Sequence, residues 1–201
     1  MVNAMKKVLI INTHQVYEGI SSGSLNHSIV EIIKETMLNI GCEVQLTNVD
    51  KGYKINEEVD KHLWADLIIT QSPVYWFGSP WIYKKYIDEV FTEGLKQGSF
   101  LTDDGRTRKD PNKQYGTGGK LVGKKYMLSL TWNAPQEAFD NPTQNLFNGR
   151  SVDDIFISKS ANYKFCGVDV LPTFSFFNVM KDPKIDSDIN ELKHILSHIF
   201  N

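Results

Sequence analysis

The sequence predicts an α/β domain in which helices cover both faces of a five-stranded parallel sheet, giving a three-layer sandwich. The first observation is that short apolar runs alternate along the chain with longer amphipathic segments of helical period. The second is that these runs are largely uninterrupted by polar residues, which is typical of strands buried on both faces. The third is the length of 201 residues, which suits one domain with a full core over residues 1–201.

The first two strand–helix units open the chain. Residues 7–12, KVLIIN, are predicted as the first strand, and residues 24–40 as an amphipathic helix that stops at Gly41. Residues 43–48, EVQLTN, follow as the second strand, and residues 55–65 as the second helix. A helix after each strand is the connection that a parallel sheet requires.

The third unit contains the most unusual stretch of the chain. Residues 66–71, DLIITQ, predict a buried strand, and an aromatic loop follows between Pro73 and Pro80. Pro80 suits the first turn of a helix, where its missing N–H is no loss. Residues 80–92 predict that helix, because they carry one apolar stripe made of Tyr83, Tyr86, Ile87, Val90 and Phe91.

A long insert interrupts the alternation at about residues 93–123. Residues 102–120 include no Val, Ile, Leu, Met, Phe, Trp or Ala, and Tyr115 is their only large side chain. A loop of this length inside a compact domain is usually functional or disordered. The basic residues in and after it are Arg106, Arg108, Lys109, Lys113, Lys120, Lys124 and Lys125.

The alternation then resumes to the end of the chain. Residues 124–131, KKYMLSLT, predict the fourth strand, and residues 132–135 form its exit loop. Residues 151–165 predict a helix, residues 169–176 the last strand and residues 187–200 a closing helix. Five strands joined by right-handed crossovers favour the flavodoxin-like strand order 2-1-3-4-5.

Composition excludes several classes of function. A net charge of −2 argues against nucleic acid as the main partner. Cys42 and Cys166 form no CxxC pattern, so we expect buried thiols rather than disulfides or a metal site. Residues 1–11 lack the features of a secretion signal, and no stretch is long enough to cross a bilayer. We therefore expect a cytoplasmic protein without membrane insertion.

Three unusual loops are predicted to meet at one edge of the sheet. They follow the first, third and fourth strands and comprise residues 13–23, 73–78 and 132–135. The carboxyl ends of parallel strands share one edge, and ligands of open α/β sheets bind at that edge. These loops therefore predict the ligand site.

The first loop leads directly into a helix and predicts a phosphate site, since its hydroxyls and backbone N–H groups lie where the helix dipole is positive. No GxGxxG or Walker A pattern is present, which disfavours a Rossmann dinucleotide fold and a P-loop. Helix capping by Ser22 or Ser24 is a compatible interpretation. His14, just past the first strand and expected to be exposed, is a further candidate contact for a pyrophosphate or for the adenine half of the ligand. The other candidates are Ser21, Ser22, Gly23, Ser24, Leu25, Asn26, His27 and Ser28.

The other two loops predict flat walls for a planar ring. Three consecutive rings cannot all point into one core, which favours a ligand platform over core packing. A planar ring held between the second and third loops, with a phosphate at the first helix, indicates a flavin. Backbone N–H donors near the ring would stabilise the negative charge of the reduced flavin. The candidates are Pro73, Val74, Tyr75, Trp76 and Phe77 in the second loop, with Thr131, Trp132, Asn133 and Ala134 in the third.

The basic insert has two interpretations. Its charges either form a solvated surface, the usual fate of a charged run, or attract the phosphate of NADPH. Tyr115 is the one large ring that the insert offers for packing against a cofactor.

These same segments resemble a known family. PVYWFGSPWIYKKYIDEVFTEG, DGRTRKDPNKQYGTGGKLVGKKYMLSLTWNAP and LPTF are similar to the bacterial NADPH:quinone reductases called modulator of drug activity B, and more distantly to mammalian DT-diaphorase. The resemblance implies a flavodoxin-like NAD(P)H dehydrogenase (quinone) that forms a homodimer with one FAD per subunit, with the active site near the dimer interface. It places the FAD-binding segments on residues 21–28, residues 74–77, Tyr115 and residues 131–134.

Two departures from the family pattern bear on the site. Val74-Tyr75 stands where the bacterial members have Gly-Trp, which alters the ring contact. The sequence around residues 14–20 also differs, which affects contacts on the adenine side. The tyrosine–histidine pair that handles protons in the mammalian enzyme has no clear counterpart, so no catalytic acid or base is assigned.

The resulting hypothesis is an FAD-dependent NAD(P)H:quinone oxidoreductase that protects against quinone and oxidative stress by two-electron hydride transfer through flavin N5. FMN is the less favoured cofactor. Reduction of azo or nitro compounds in the same pocket is an alternative, as is an ancillary regulatory subunit of a potassium-efflux system. A flavodoxin-type electron carrier is disfavoured by the near-neutral charge and the basic insert.

Overall fold

A computed structural model describes residues 5–200 of the chain. The expectation that residues 1–11 form no secretion signal falls in part on residues 1–4, and these four lie outside the described residues. None of the helices in that part combines the length and the apolar content that crossing a membrane requires.

The sheet has the predicted order. Strands β1 (Lys7–Asn12), β2 (Glu43–Asn48), β3 (Leu67–Pro73), β4 (Lys125–Thr131) and β5 (Asp169–Val170) lie in the order β2-β1-β3-β4-β5. Every pair is parallel. The flavodoxin-like fold class predicted from the strand–helix alternation is thus confirmed.

The last strand is not continuous, which corrects the prediction of one strand over residues 169–176. A sixth strand, β6 (Phe174–Phe176), also pairs with β4. Tyr126 pairs with Val170 and Ser129 pairs with Phe174, so three residues of the outer chain lie opposite two residues of β4. One of the three is Pro172, which has no N–H to donate to the ladder. The extra residue forms a bulge at the sheet edge.

Helices cover both faces, as predicted. α1 (Ser24–Asn39) and α6 (Ile185–His198) bury Ile29, Ile33, Met37, Leu192 and Leu196 against one face of the sheet. α2 (Ile55–Trp64), α3 (Trp81–Lys96) and α5 (Ile157–Phe165) bury Val59, Tyr83, Tyr86, Val90 and Tyr163 against the other.

Two helix boundaries differ from the predictions. The segment predicted as one helix over residues 151–165 is interrupted at Phe156, which separates α4 (Val152–Ile155) from α5. α3 continues beyond residue 92 through Gly94. A Cβ at position 94 would lie 2.5 Å from the Phe100 ring, so this glycine lets a core side chain approach the helix and does not end it.

The insert between α3 and β4 lies at the amino-terminal edge of the sheet. Its residues form turns and one antiparallel bridge between Leu101 and Gly119. The backbone N–H of Leu121 donates to the carbonyl of Cys166, just after α5, at 2.8 Å. Both cysteines are buried free thiols, as expected.

Candidate functional site

The three predicted loops meet at the carboxyl edge of the sheet. The backbone N–H of Thr13, after β1, donates to the carbonyl of Gln71 in β3 at 3.0 Å. The N–H of Val74, after β3, donates to the carbonyl of Thr131 in β4 at 3.0 Å. Backbone hydrogen bonds thus join the exits of the three adjacent strands and place the loops that follow them side by side.

The first turn of α1 is open for an anion. Its N-cap is Gly23, at φ 82°, which contributes no side-chain cap, and no acidic residue lies in the first turn. The capping interpretation for Ser22 or Ser24 is therefore wrong. Ser22, Ser24 and Ser28 are exposed, while Leu25 and His27 are half-buried and Asn26 is buried. A helix start with uncapped N–H groups and neighbouring hydroxyls has the donor set that a phosphate requires.

His14 supports this turn from below and does not face outward. It is 1% exposed, and its Nε2 lies 3.2 Å from Ser21 Oγ. A Cβ at position 23 would lie 2.3 Å from its ring. Burial, followed by the charge of His27, lowers the pKa of His14 and favours the neutral imidazole. The structure thus corrects the picture of His14 as an exposed contact, because the ring lies under the loop.

The aromatic loop is a strained two-residue hairpin. Tyr75 and Gly78 exchange both backbone hydrogen bonds, and the two residues between them have positive φ, 48° at Trp76 and 63° at Phe77. This is the backbone sign of a type I′ turn, which normally takes glycine or asparagine. The cost for other residues is about 1–2 kcal/mol each. Strain of this kind is concentrated at functional sites.

The three rings of this loop differ in their surroundings. Trp76 is 95% exposed and has open space around its indole. Phe77 is 49% exposed and makes an edge contact with Phe147 at 5.8 Å between ring centroids. Tyr75 is half-buried against Tyr17 of the first loop, at 5.0 Å. One free ring between two anchored rings is the arrangement expected of a platform for a flat ligand.

The Trp132 ring does not form the second wall that the sequence predicts. It is 1% exposed and packs edge-on against Phe139 and Phe156, at 4.8 and 5.4 Å between centroids. A large ring at the end of a central strand gains more from the core than from solvent. What the third loop presents at the edge is Asn133, which is exposed, and Ala134, which is half-buried.

Tyr115 lies away from the three loops. It is 67% exposed and packs on Phe165, the last residue of α5, at 5.1 Å, with Arg106 above its ring at 5.2 Å. α5 ends at the amino-terminal edge, where Asp169 pairs with Lys125. The length of a seven-residue strand, about 20 Å, separates that edge from the aromatic loop. Within one chain, therefore, Tyr115 does not join the other candidates.

Two residues in this region were missed from the sequence. Tyr17 holds Tyr75 in place, and Gln71 donates to Asn26 Oδ1 through its amide at 2.9 Å. The signal for Gln71 was available, because a run of three polar residues, Thr70 to Ser72, ends a strand that is otherwise apolar. Tyr17 left no signal, since its partner is distant in sequence.

Two other cavities lie away from the three loops. One of about 580 Å³ lies between the β5–β6 bulge and α6, with Met127, Pro172 and Ile195 in its walls. Another of about 410 Å³ lies between α3 and α5 beside Tyr115. Among residues 5–200, histidine, cysteine and acidic side chains form no group of three suited to a metal ion.

Comparison with known proteins identifies relatives over nearly the whole chain. Residues 6–198 match the family described as having the flavodoxin-like fold. The chain is 42% identical to an uncharacterized protein of Schizosaccharomyces pombe, over 96% of this chain and 97% of that protein. It is 41% identical to NADPH:quinone oxidoreductase MdaB of Haemophilus influenzae, over 90% of this chain and 93% of the relative. A Klebsiella pneumoniae structure described as a quinone reductase superimposes with a TM-score of 0.73 at 24% identity, covering 96% and 82% of the two chains.

Proposed function

We propose that this chain, which belongs to the family with the flavodoxin-like fold and is 41% identical to NADPH:quinone oxidoreductase MdaB of Haemophilus influenzae, is an FAD-dependent NAD(P)H:quinone oxidoreductase. The single observation that carries the proposal is the pairing, at one sheet edge, of an uncapped helix N-terminus with a strained aromatic hairpin. Each part matches one half of a flavin nucleotide.

The residues at the α1 end fit a diphosphate. Gly23 presents backbone without a Cβ, Ser22 and Ser24 place exposed hydroxyls beside it, and the first turn carries no acid that would repel an anion. His14 lies beneath, with a buried Nδ1 that has no hydrogen-bond partner among residues 5–200. That nitrogen is a buried polar group that lies against Gly23 and not on the exposed side of the turn.

The residues at the β3 and β4 exits fit a planar ring system. Trp76 and Phe77 supply ring faces, and Asn133 supplies an amide at the polar rim. Two hydrogen bonds between Tyr75 and Gly78 hold the backbone of this hairpin, which therefore loses less entropy on binding than a flexible loop would. Burial of the Trp76 face would also exclude water from the ring.

A bound flavin would supply the redox chemistry, since it can pass a hydride equivalent, two electrons and one proton, from NAD(P)H to a quinone, which becomes a hydroquinone by taking a second proton from solvent. The chain's own contribution is to hold flat substrates over the ring within stacking distance and to exclude water. Neighbouring backbone N–H groups would stabilise negative charge on the reduced cofactor. Two-electron delivery suits protection against quinone and oxidative stress.

The proposed assembly is a homodimer. Trp76 and Phe77 leave unusual aromatic area exposed for a single chain, and such area marks binding surfaces. Tyr115 is about one strand length from these rings within one chain, so its proposed part in the cofactor site requires the partner subunit.

An absorbance spectrum of the purified protein tests the proposal directly. We expect a flavin spectrum, FAD on chromatography of the released cofactor, bleaching with NADPH and recovery of colour with a quinone. FMN in place of FAD would correct the cofactor and point to azo compounds as substrates. Failure to bind flavin even after reconstitution, or bound flavin without NAD(P)H-dependent quinone turnover, would contradict the proposal.

A further inference from the structure

A buried polar network lies beneath the first turn of α1. The Gln71 side-chain amide donates to Asn26 Oδ1 at 2.9 Å, and the Asn26 amide donates to Thr131 Oγ1 at 3.3 Å. Gln71 is fully buried, and Asn26 and Thr131 are each 5% exposed. Hydrogen bonds in such surroundings are stronger than in water, and Gln71 Oε1 is left without a partner in the described part of the chain.

Gln71 connects this network to all three loops. The backbone carbonyl of Gln71 accepts hydrogen bonds from the backbone N–H and the hydroxyl of Thr13, at 3.0 and 3.3 Å, where the first loop begins. Its strand continues to Val74, whose N–H donates to the carbonyl of Thr131. A shift of Asn26 at the start of α1 therefore acts on the exits of both β3 and β4.

We propose that Gln71 is a positioning residue that makes the two halves of the cofactor site cooperative. A diphosphate at the start of α1 sets the position of Asn26, and through Gln71 and Thr131 it sets the positions of the β3 and β4 exits that receive the ring. The second ligand half then binds exits that are already in place, which couples the two halves favourably. This inference rests on the proposed function, since it takes the two halves to belong to one flavin nucleotide.

The test separates the two halves. Riboflavin binding to the full chain, freed of its cofactor, is titrated with and without saturating ADP. For the wild type we expect ADP to raise riboflavin affinity about tenfold, within the usual range of coupling between sites. In Gln71→Met, which keeps length but removes the amide, that factor should fall towards one.

The matched control is Ser129→Ala. Ser129 lies opposite Gln71 in the register and is fully buried, and its hydroxyl has no hydrogen-bond partner in the described part of the chain. It should keep the wild-type coupling. Thr131→Val should lose it and Thr131→Ser should restore it, which gives the same test if Gln71→Met does not fold.

The outcomes separate this inference from the proposed function. FAD binding with independent riboflavin and ADP binding in the wild type would overturn the inference alone, as would full coupling in Gln71→Met. Absence of any flavin binding would overturn both.

Discussion

Gly23 packs so closely against His14 that a Cβ at position 23 would lie 2.3 Å from the His14 imidazole. The glycine also adopts a φ of 82°, so two independent constraints exclude other residues at the start of α1. The imidazole Nε2 contacts Ser21 Oγ on the buried side of the loop, and the exposed side of the first turn of α1 is left open for a ligand.

Substitution Gly23→Ala should therefore be more damaging than positive φ alone explains. Gly19 has a similar φ, 72°, with nothing within 4 Å of its would-be Cβ, so Gly19→Ala measures the backbone term by itself. We expect Gly19→Ala to cost about 1 kcal/mol in the free energy of unfolding, and Gly23→Ala about 1–3 kcal/mol more from overpacking. Chemical denaturation measures both. Equal losses in the two variants would mean that the His14 contact is unimportant.

Removing the strain at Trp76 should stabilise the protein and weaken ligand binding. Trp76→Gly relieves a φ of 48° at a 95% exposed position, so we expect the free energy of unfolding to rise by about 1 kcal/mol. Flavin affinity, measured by fluorescence titration, should fall at least tenfold because the ring face is lost. Trp81→Ala, which removes an exposed indole from α3, is the matched control and should retain flavin. Trp76→Gly with unchanged affinity would show that the ring is not part of the platform.

Subunit mixing tests the proposed homodimer and the proposed part of Tyr115 in its site. We expect Tyr115→Ala and Trp76→Ala homodimers each to have low quinone reductase activity. In a mixed dimer, one of the two sites would hold both intact side chains, Trp76 from one subunit and Tyr115 from the other. Activity should rise towards about a quarter of the wild-type value after random re-association, because about half of the dimers are then mixed, and towards about half in purified mixed dimers. No recovery in verified mixed dimers would place Tyr115 outside the site.

His62 should make folding sensitive to acid. Its ring is fully buried among Tyr86, Phe100 and Tyr163, and its Nδ1 pairs with the carbonyl of Glu58 at 2.8 Å. Burial is the largest cause that lowers the pKa of His62 to about 4. The unfolded chain, with an ordinary histidine, binds the proton more tightly, so stability decreases as the pH falls.

The pH window lies between the pKa of an ordinary histidine, about 6.5, and the lowered pKa of His62, about 4. Between about pH 6.5 and pH 4, the penalty for keeping His62 neutral grows to about 3 kcal/mol. Urea unfolding at a series of pH values should show this slope in the wild type. In His62→Gln the slope over this window should be smaller, whatever the variant's absolute stability. A variant with the full wild-type slope would assign the acid sensitivity to other groups.

The two cysteines should be unreactive in the folded protein. Burial raises the pKa of the Cys166 thiol to about 12 and is the main cause that raises that of Cys42. Because the thiolate is the reactive form, Ellman's reagent at pH 8 should modify neither thiol in the native state. Two equivalents should react after unfolding. Rapid modification of a native thiol would indicate local opening near that residue.

The sequence determined the strand–helix alternation and hence the sheet order, because hydrophobic periodicity and chain connectivity are local properties that restrict the topology to very few forms. It also determined which three loops share an edge, since parallel strands end on the same side. The strained hairpin was visible as consecutive rings bounded by prolines, although its positive φ values were not.

Only the tertiary structure decided which side of each loop is buried. A histidine such as His14 and a tryptophan such as Trp132 can each lie either at the surface or in the core. Here both are buried, because neighbouring strands and helices enclose them. Tyr115 lies at the opposite edge because the insert returns to the amino end of β4, a position that no local pattern encodes. The burial of a residue, and its distance from residues remote in sequence, depend on how helices and strands pack together. That packing is determined by the whole chain and not by any local segment.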